Sequence, residues 1–301
     1  MGKKKILLIG ASSLLGKALV DLFHDVYEIF GTYSQKELSQ SSYKHIKQIK
    51  LDITRPHQLK KVFQAHKYDV VIHVASIGNI ECCEQNKKRA KAVNFTATKH
   101  IVALTKLIRA KLIFISSSAV FAGISASYFE DSKREPINFY GKMKQLSEDV
   151  VLKEKKNAVM RVTMMYGWNN PSERSNTVTW IIESAKNGKQ ITLANDRFTN
   201  PVWNYEVAKS IKSVIEKNLC GCFHVAGLNT LNRYEIAQAV CKEFDLDSKY
   251  IKSKQYMHLH QVSRHGLQET LDTSNMVEKI HQIPISFEEG LRKMRKEGFH
   301  D

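Results

Sequence analysis

A doubly wound parallel α/β sheet with helices on both faces, followed by a smaller α/β region, is the fold class this 301-residue sequence predicts. Three observations predict it. A short apolar run, Ile6 to Ile9, breaks at a glycine turn, Gly10-Ala-Ser-Ser-Leu-Leu-Gly16, and passes into an amphipathic helix through Phe23. Further short apolar runs then alternate with helical stretches, the pattern of strands buried on both faces of a parallel sheet. The fifth run, Leu112 to Ile115, ends in Ser116-Ser117-Ser118, at the carboxyl edge where open α/β sheets bind ligands.

The first strand, turn and helix form the context in which a dinucleotide pyrophosphate approaches the amides of a helix N-terminus. Gly10 permits the turn, Gly16 permits close helix–strand packing, and Ser13 stands where a middle glycine is common. A second strand, Tyr27 to Thr32, runs into Tyr33-Ser34-Gln35-Lys36, with no acid before Glu37. An NAD site usually places a carboxylate there for the ribose hydroxyls. The Ser34 hydroxyl and the Lys36 cation suit a 2′-phosphate better, so NADP(H) is favoured and NAD(H) is the alternative.

The third strand, Ile46 to Leu51, ends in Asp52-Ile53-Thr54. Thr54 is the expected N-cap of a helix running through His66, with Pro56 in its first turn. Asp52 is either an adenine contact or a turn carboxylate. Asp69 to Val74 gives the fourth strand, ending in Ala75-Ser76, and one helix is expected from Gln85 to Ile108 with Asn94 in its middle. In the second half, helices are expected at Thr177 to Lys186, Tyr205 to Lys217 and Arg233 to Phe244, with a strand at Gln190 to Leu193. Residues 1–165 are expected to form the NAD(P)-binding domain, with 205–225 packing back on it, and 166–301 the substrate-binding region.

The chemistry centres on Tyr140-Gly-Lys-Met-Lys144, opening a helix to about Glu154. Tyr140 and Lys144 share a helix face, one turn apart. A cation there is expected to lower the phenol pKa and make Tyr140 a proton donor or acceptor. A serine at the end of the fifth strand supplies the third group, donating to a carbonyl oxygen while the phenol delivers the proton.

Composition narrows the classes. No apolar run approaches the ~18 residues a membrane span needs. Lys3-Lys4-Lys5 before a short apolar run reads as the start of a buried strand in a cytoplasmic protein, not as a leader. Five cysteines without Cys-x-x-Cys spacing argue against a disulfide framework and a zinc site, and twelve histidines are scattered. A net charge of +16 is spread along the chain without interleaved aromatics, so it suits anionic small molecules and not a nucleic-acid platform.

The glycine turn, Tyr140 and Lys144 are joined by Asp52-Ile-Thr, Asp69-Val-Val-Ile-His-Val-Ala75, and Glu81-Cys-Cys-Glu84 leading to Val93-Asn94. Ile115 to Gly123, Tyr128-Phe-Glu130, Arg161 to Gly167, Asp196 to Ala208, Gly221 to Gly227 and Leu271-Asp-Thr-Ser274 extend the pattern over nearly the whole chain. In these residues the sequence resembles the extended short-chain dehydrogenase/reductase superfamily, with its Rossmann-like sheet. Within it, the sequence is similar to the branch of dTDP-4-dehydrorhamnose reductases and related sugar-nucleotide reductases.

Position by position, the resemblance implies a catalytic set of Ser117, Tyr140 and Lys144. It implies cofactor contacts from Gly10, Ser12, Ser13, Leu14, Leu15, Asp52, Ile53, Ala75, Ser76 and Asn94. The branch usually reads Ser-Thr-Asp-Tyr-Val-Phe at the strand end, where this chain has Ser117, Ser118 and Ala119 in place of Thr-Asp-Tyr. An aromatic substrate contact expected after Arg161 is Met164. Ser118 and Met164 therefore fall on the substrate side, and Arg174, Arg197 and Arg264 are candidates for a substrate diphosphate. The implied partner is a nucleotide sugar whose C4 keto group is reduced; no membrane or metal is expected, and a homodimer is left open. Dehydratases need an acid at this strand end that Ser118-Ala119 lacks. Epimerases often carry a Ser-Ser-Ser run, and the regulatory subunit of methionine adenosyltransferase is a relative that binds without turnover.

Overall fold

The structure, a computed structural model, describes residues 2–38, 43–44, 46–125, 127–169, 175–259 and 263–298. The first half alternates β1 (Lys5–Ile9), α1 (Leu14–Phe23), β2 (Glu28–Tyr33), β3 (Lys47–Lys50), α2 (Pro56–Ala65) and β4 (Val70–His73). It continues through α3 (Ile80–Gln85), α4 (Lys87–Lys91), a π-turn (Ala92–Thr96), α5 (Ala97–Leu107), β5 (Lys111–Ser117), α6 (Phe139–Val151) and β6 (Ala158–Val162). The second half adds β7 (Met165–Tyr166), α7 (Thr177–Lys186), β8 (Ile191–Ala194), β9 (Phe198–Thr199), β10 (Val202–Trp203), α8 (Asn204–Glu216) and β11 (Gly221–Val225). It ends with β12 (Leu231–Asn232), α9 (Arg233–Glu243), β13 (Ile251–Lys254), β14 (Gln268–Glu269) and α10 (Phe287–Glu297).

Seven strands form the central sheet in the order β11-β6-β5-β4-β1-β2-β3, and every pairing in it is parallel. The order reverses between β1 and β4, so the cleft outside their carboxyl ends is the topological switch point. One face buries Ile6, Leu8, Leu15, Leu19, Val207 and Ile211 between the sheet, α1 and α8. The other buries Leu7, Ile9, Leu59, Phe63, Ile101 and Phe114 under α2 and α5. Alternate residues of β1 thus serve opposite cores, which is why the strand reads as unbroken apolar sequence. A third core, with Ile181, Leu193, Trp203, Ile236 and Phe287, unites α7, α9 and α10.

Strand ends differ from the sequence expectation by a residue or two, and two helix expectations need correction. Thr54 does not cap α2: its amide and hydroxyl both donate to Asp52 Oδ1, at 2.9 and 2.6 Å. Arg55 occupies the cap position without a side-chain bond, and Pro56 begins the helix. The helix expected from Gln85 to Ile108 starts two residues later and runs in unbroken helical backbone from Lys87 to Leu107 through the π-turn, because Asn86 leaves the helical region, ends α3 and caps α4 by accepting the Arg89 amide at 3.2 Å. Among the described residues, no helix is long and apolar enough to cross a membrane.

Helix α6 lies so close to the end of β5 that position 141 has no room for a side chain. A Cβ on Gly141 would sit 1.9 Å from the Ala119 carbonyl oxygen. Gly141→Ala is expected to cost about 1–3 kcal/mol through overpacking and to push Tyr140 away from the strand end. Thermal unfolding and activity measured together check this: both should fall.

Candidate active site

The glycine turn is shaped for close approach. Gly10 has φ +101°, and a Cβ there would lie 2.9 Å from the Ala75 amide nitrogen. A Cβ on Gly16 would meet the Gly10 carbonyl oxygen at 2.2 Å. Ser13 replaces conformational freedom with capping: its hydroxyl donates to the Gly10 carbonyl at 2.7 Å and accepts the Gly16 amide at 3.2 Å. The Lys17 amide bonds the Ser13 carbonyl, so Leu14 and Leu15 offer the open amides of the first turn. Ser12 is half-buried at its mouth. Carboxyl edge, tight turn and open amides fit a dinucleotide pyrophosphate.

Beyond β2, a groove of about 560 Å³ is lined by Ser34 and Asp52, with Lys50, Gln58 and Lys61. Ser34 and Asp52 are therefore brought together. Lys36 is exposed and outside the groove wall; the cations on that wall are Lys50 and Lys61. Gln58, Lys61, Val62 and Ala65 share one face of α2, an i, i+3, i+4, i+7 set readable in the sequence. The Asp52 carboxyl is held below the usual range, chiefly by the Thr54 hydroxyl, and pairs with Arg55 at 3.6 Å. Ile53 is buried beside it. Across the switch point the Ala75 amide bonds the Ile9 carbonyl at 2.9 Å, and Ser76 is exposed. Asn94 is 2% exposed; its carboxamide accepts the Ile77 amide at 2.8 Å and donates to the Ile77 carbonyl at 3.0 Å. It clamps the loop that carries Ala75 and Ser76.

Three consecutive residues of β5 hold three residues of α6 spaced one turn apart. Ser117 is hydrogen-bonded to Tyr140 and its Oγ accepts the Ala119 amide at 3.2 Å. The Ile115 carbonyl accepts Lys144 Nζ at 2.8 Å. Between them, the Ser116 hydroxyl donates to Glu148 Oε1 at 2.5 Å. Asn138 caps the helix, accepting the Gly141 amide at 2.8 Å, which fixes where Tyr140 emerges. Ser118 opens the short turn that follows.

The electrostatics correct one expectation. Lys144 does not dominate the Tyr140 phenol: burial pushes it up to about 12, the Ser117 hydrogen bond pulls the other way, and Cys83 adds to the rise. Lys144 is itself lowered to about 8, first by burial, with Glu148 and then Cys83 opposing. Its ammonium stands 4.7 Å from the Phe114 ring centre and 5.8 Å from that of Tyr140. Near neutral pH the pair is phenol plus ammonium, a protonated array suited to donating a proton. Cys83, fully buried, hydrogen-bonds the Ile77 carbonyl at 3.3 Å. In the sequence Cys83 stands only within the Glu81-Cys-Cys-Glu84 run, and nothing local shows that it packs beside Tyr140 and Lys144.

On its other side α3 borders a cavity of about 820 Å³, lined by Ile80, Glu81, Trp180, Arg197, Arg233 and His265 among others. Glu84 of α3 accepts the Phe139 amide at 2.6 Å, so one short helix separates this cavity from Tyr140. Arg197 lies on the cavity wall as a ligand-facing cation should, and its Nη2 bonds both oxygens of Glu269 at 2.9 and 2.8 Å. Arg233, expected from the sequence only as the start of a helix and not as a site residue, shares that carboxylate at 3.2 Å and meets the Met164 sulfur. Burial lowers the Arg233 guanidinium to about 10. Two half-buried guanidinium groups thus share one carboxylate, and among the described residues the Arg197 Nε has no partner. Arg264 is exposed and outside the wall; its carbonyl accepts the Asn138 carboxamide at 3.1 Å, while its neighbour His265 lines the cavity. Arg174 lies outside the described residues.

The family description "RmlD substrate binding domain" matches residues 4–299. A probable low-salt glycan biosynthesis reductase, Agl14, of Haloferax volcanii is 24% identical over 271 residues, covering 89% of each chain. Methionine adenosyltransferase 2 subunit beta of Xenopus laevis is 28% identical over 258 residues, 83% of this chain and 75% of that protein. The dTDP-4-dehydrorhamnose reductase of Bacillus anthracis, crystallised with NADP, superposes with a TM-score of 0.86 at 23% identity, over 98% of this chain and 100% of that one. The seven-stranded parallel sheet with its glycine turn and this end-to-end match lead to one classification: the chain belongs to the RmlD substrate-binding-domain family.

Proposed function

We propose that the chain reduces a keto group, at C4, of a nucleotide-diphospho-deoxysugar with NADPH. The carrying observation is the protonated Ser117–Tyr140–Lys144 array at the carboxyl end of β5, one short helix away from a cavity that presents Arg197 and Arg233. The cofactor, when bound, supplies hydride to the carbonyl carbon. Tyr140 donates its proton to the developing alkoxide, and Ser117 donates a hydrogen bond to the same oxygen. Lys144, charged near neutral pH, balances the phenol as it loses its proton. Gly10, Gly16 and the Leu14 and Leu15 amides receive the pyrophosphate. Ser34, Lys50 and Lys61 give the adenosine end a hydroxyl and two cations, which favours a 2′-phosphate.

Arg197 and Arg233 face the diphosphate in this reading. Arg197→Met removes a charge-assisted contact of about 1.5–3 kcal/mol. It is expected to raise KM for the sugar nucleotide about 10- to 100-fold and to change kcat only a few-fold. Steady-state kinetics with the sugar nucleotide varied checks this; an unchanged KM contradicts it.

The relation to methionine adenosyltransferase 2 subunit beta supports a second reading, a regulatory subunit that binds the cofactor without turnover. NADPH oxidation with dTDP-4-keto-6-deoxyglucose, with and without an epimerase supplying the C3/C5-inverted sugar, separates the two. Stoichiometric consumption in either mixture supports the reductase. Binding without consumption supports the regulatory subunit, and sugar inversion without net consumption indicates an epimerase.

A further inference from the structure

The register of β5 against α6 puts a fourth residue in line with the three already named. Ile115, Ser116 and Ser117 hold Lys144, Glu148 and Tyr140 respectively. Glu148 is 0% exposed and lies one helical turn beyond Lys144, itself 2% exposed. Its carboxylate is fixed from every side. Ser116 donates at 2.5 Å, Arg161 donates through Nε at 3.0 Å and Nη2 at 2.8 Å, and Arg134 donates through Nη1 at 3.1 Å. Arg161 is anchored in turn by the Glu130 carbonyl at 2.9 Å and by His224 Nε2 at 3.2 Å. A carboxylate held this firmly has a fixed field at its neighbour.

We propose that Glu148 is a positioning residue that keeps Lys144 charged and seated between Tyr140 and the strand end; the proposal rests on the reductase reading above. A buried ammonium bonded to one carbonyl and two ring faces is costly without an anion. Groups facing Lys144 from the elements around it leave one candidate. From α3 comes Cys83, whose thiol burial pushes up to about 11, so it is uncharged near neutral pH. From β4 comes His73, lowered to about 3 by burial and by Lys144 and therefore neutral. β5 contributes the Ser116 and Ser117 hydroxyls, and α6 itself contributes Tyr140. From β6, β11 and the loops come Arg161, His224, Glu130 and Arg134, met through Glu148 and Arg161. The lysines and the arginine of α4 and α5 are exposed. Glu148 is the carboxylate left, one helical turn from Lys144 and held by the strand residue next to the one that holds Lys144.

The test is the pH dependence of kcat/KM for NADPH at saturating ketosugar, in the wild type, Glu148→Gln and Arg134→Met. Activity should fall on the alkaline side as Lys144 loses its proton. Glu148→Gln removes an anion and should move that limb about one pH unit towards acid. Arg134→Met removes a cation from Glu148 at a side chain 27% exposed, and should move the limb the opposite way. Shifts of opposite sign support the proposal, because a packing role alone moves neither limb. Profiles that superimpose on the wild type, even with a lowered Tm, overturn it. Should Glu148→Gln fail to fold, Arg134→Met decides, and an unmoved or acid-shifted limb overturns the proposal. If the wild type consumes no NADPH, the reductase reading is what fails, and the same limb is then read from the pH dependence of NADPH binding.

Discussion

Tyr140→Phe is expected to lower kcat by about 10²–10⁴-fold, the usual contribution of a positioned proton donor, with NADPH affinity and Tm nearly unchanged. The ring is retained, and it keeps its place because Asn138 and Glu84 fix the start of α6 through the Gly141 and Phe139 amides. What is lost is the hydroxyl that Ser117 engages. The phenol, pushed up to about 12, is protonated across the physiological range, so the wild-type rate should not fall on the acid side through Tyr140. Single-turnover NADPH oxidation measures the effect. A Phe variant with the wild-type rate would remove Tyr140 from the reaction.

Arg161→Met carries the largest expected effect on stability. Arg161 is 2% exposed and bidentate on the fully buried Glu148. Truncating it leaves Glu148 with Ser116 and the partly exposed Arg134. Breaking a buried pair on one side costs about 3–5 kcal/mol, which lowers the Tm of a chain this size by about 5–8 °C. Replacing both partners, Arg161→Met with Glu148→Leu, should recover most of that loss, because no uncompensated charge remains. Thermal unfolding of the single and double variants checks both numbers. Equal losses in the two would mean that packing, not charge, is what Arg161 supplies.

The sheet was legible in the sequence because its strands are buried on both faces, and Ile6–Ile9 or Val70–His73 then read as unbroken apolar runs. Tyr140, Lys144 and Ser117 were legible for a similar reason: local spacing on a helix and position at a strand end constrain them before any tertiary contact. The electrostatics were not. A cation four residues from a phenol suggests a lowered pKa, but the burial that overrides it and the added effect of Cys83 come from α3 packing on α6, more than fifty residues away in sequence. The pairing of Arg233 with Glu269 was not legible because the two lie 36 residues apart and meet only in the fold. Likewise, nothing local to Asn86 or Thr54 shows which of two capping geometries the chain will adopt. Helix caps are decided by small differences between competing hydrogen bonds.

In the proposed reaction the chain transfers hydride from a nicotinamide to a sugar carbon. NADPH carrying deuterium at its transferring C4 position, incubated with dTDP-4-keto-6-deoxy sugars of both C3/C5 configurations, tests it directly by mass spectrometry and NMR of the product. One deuterium at sugar C4 is expected for each NADPH oxidised, and none with Tyr140→Phe on the same timescale. NADPH that binds while no deuterium reaches any sugar carbon would contradict it.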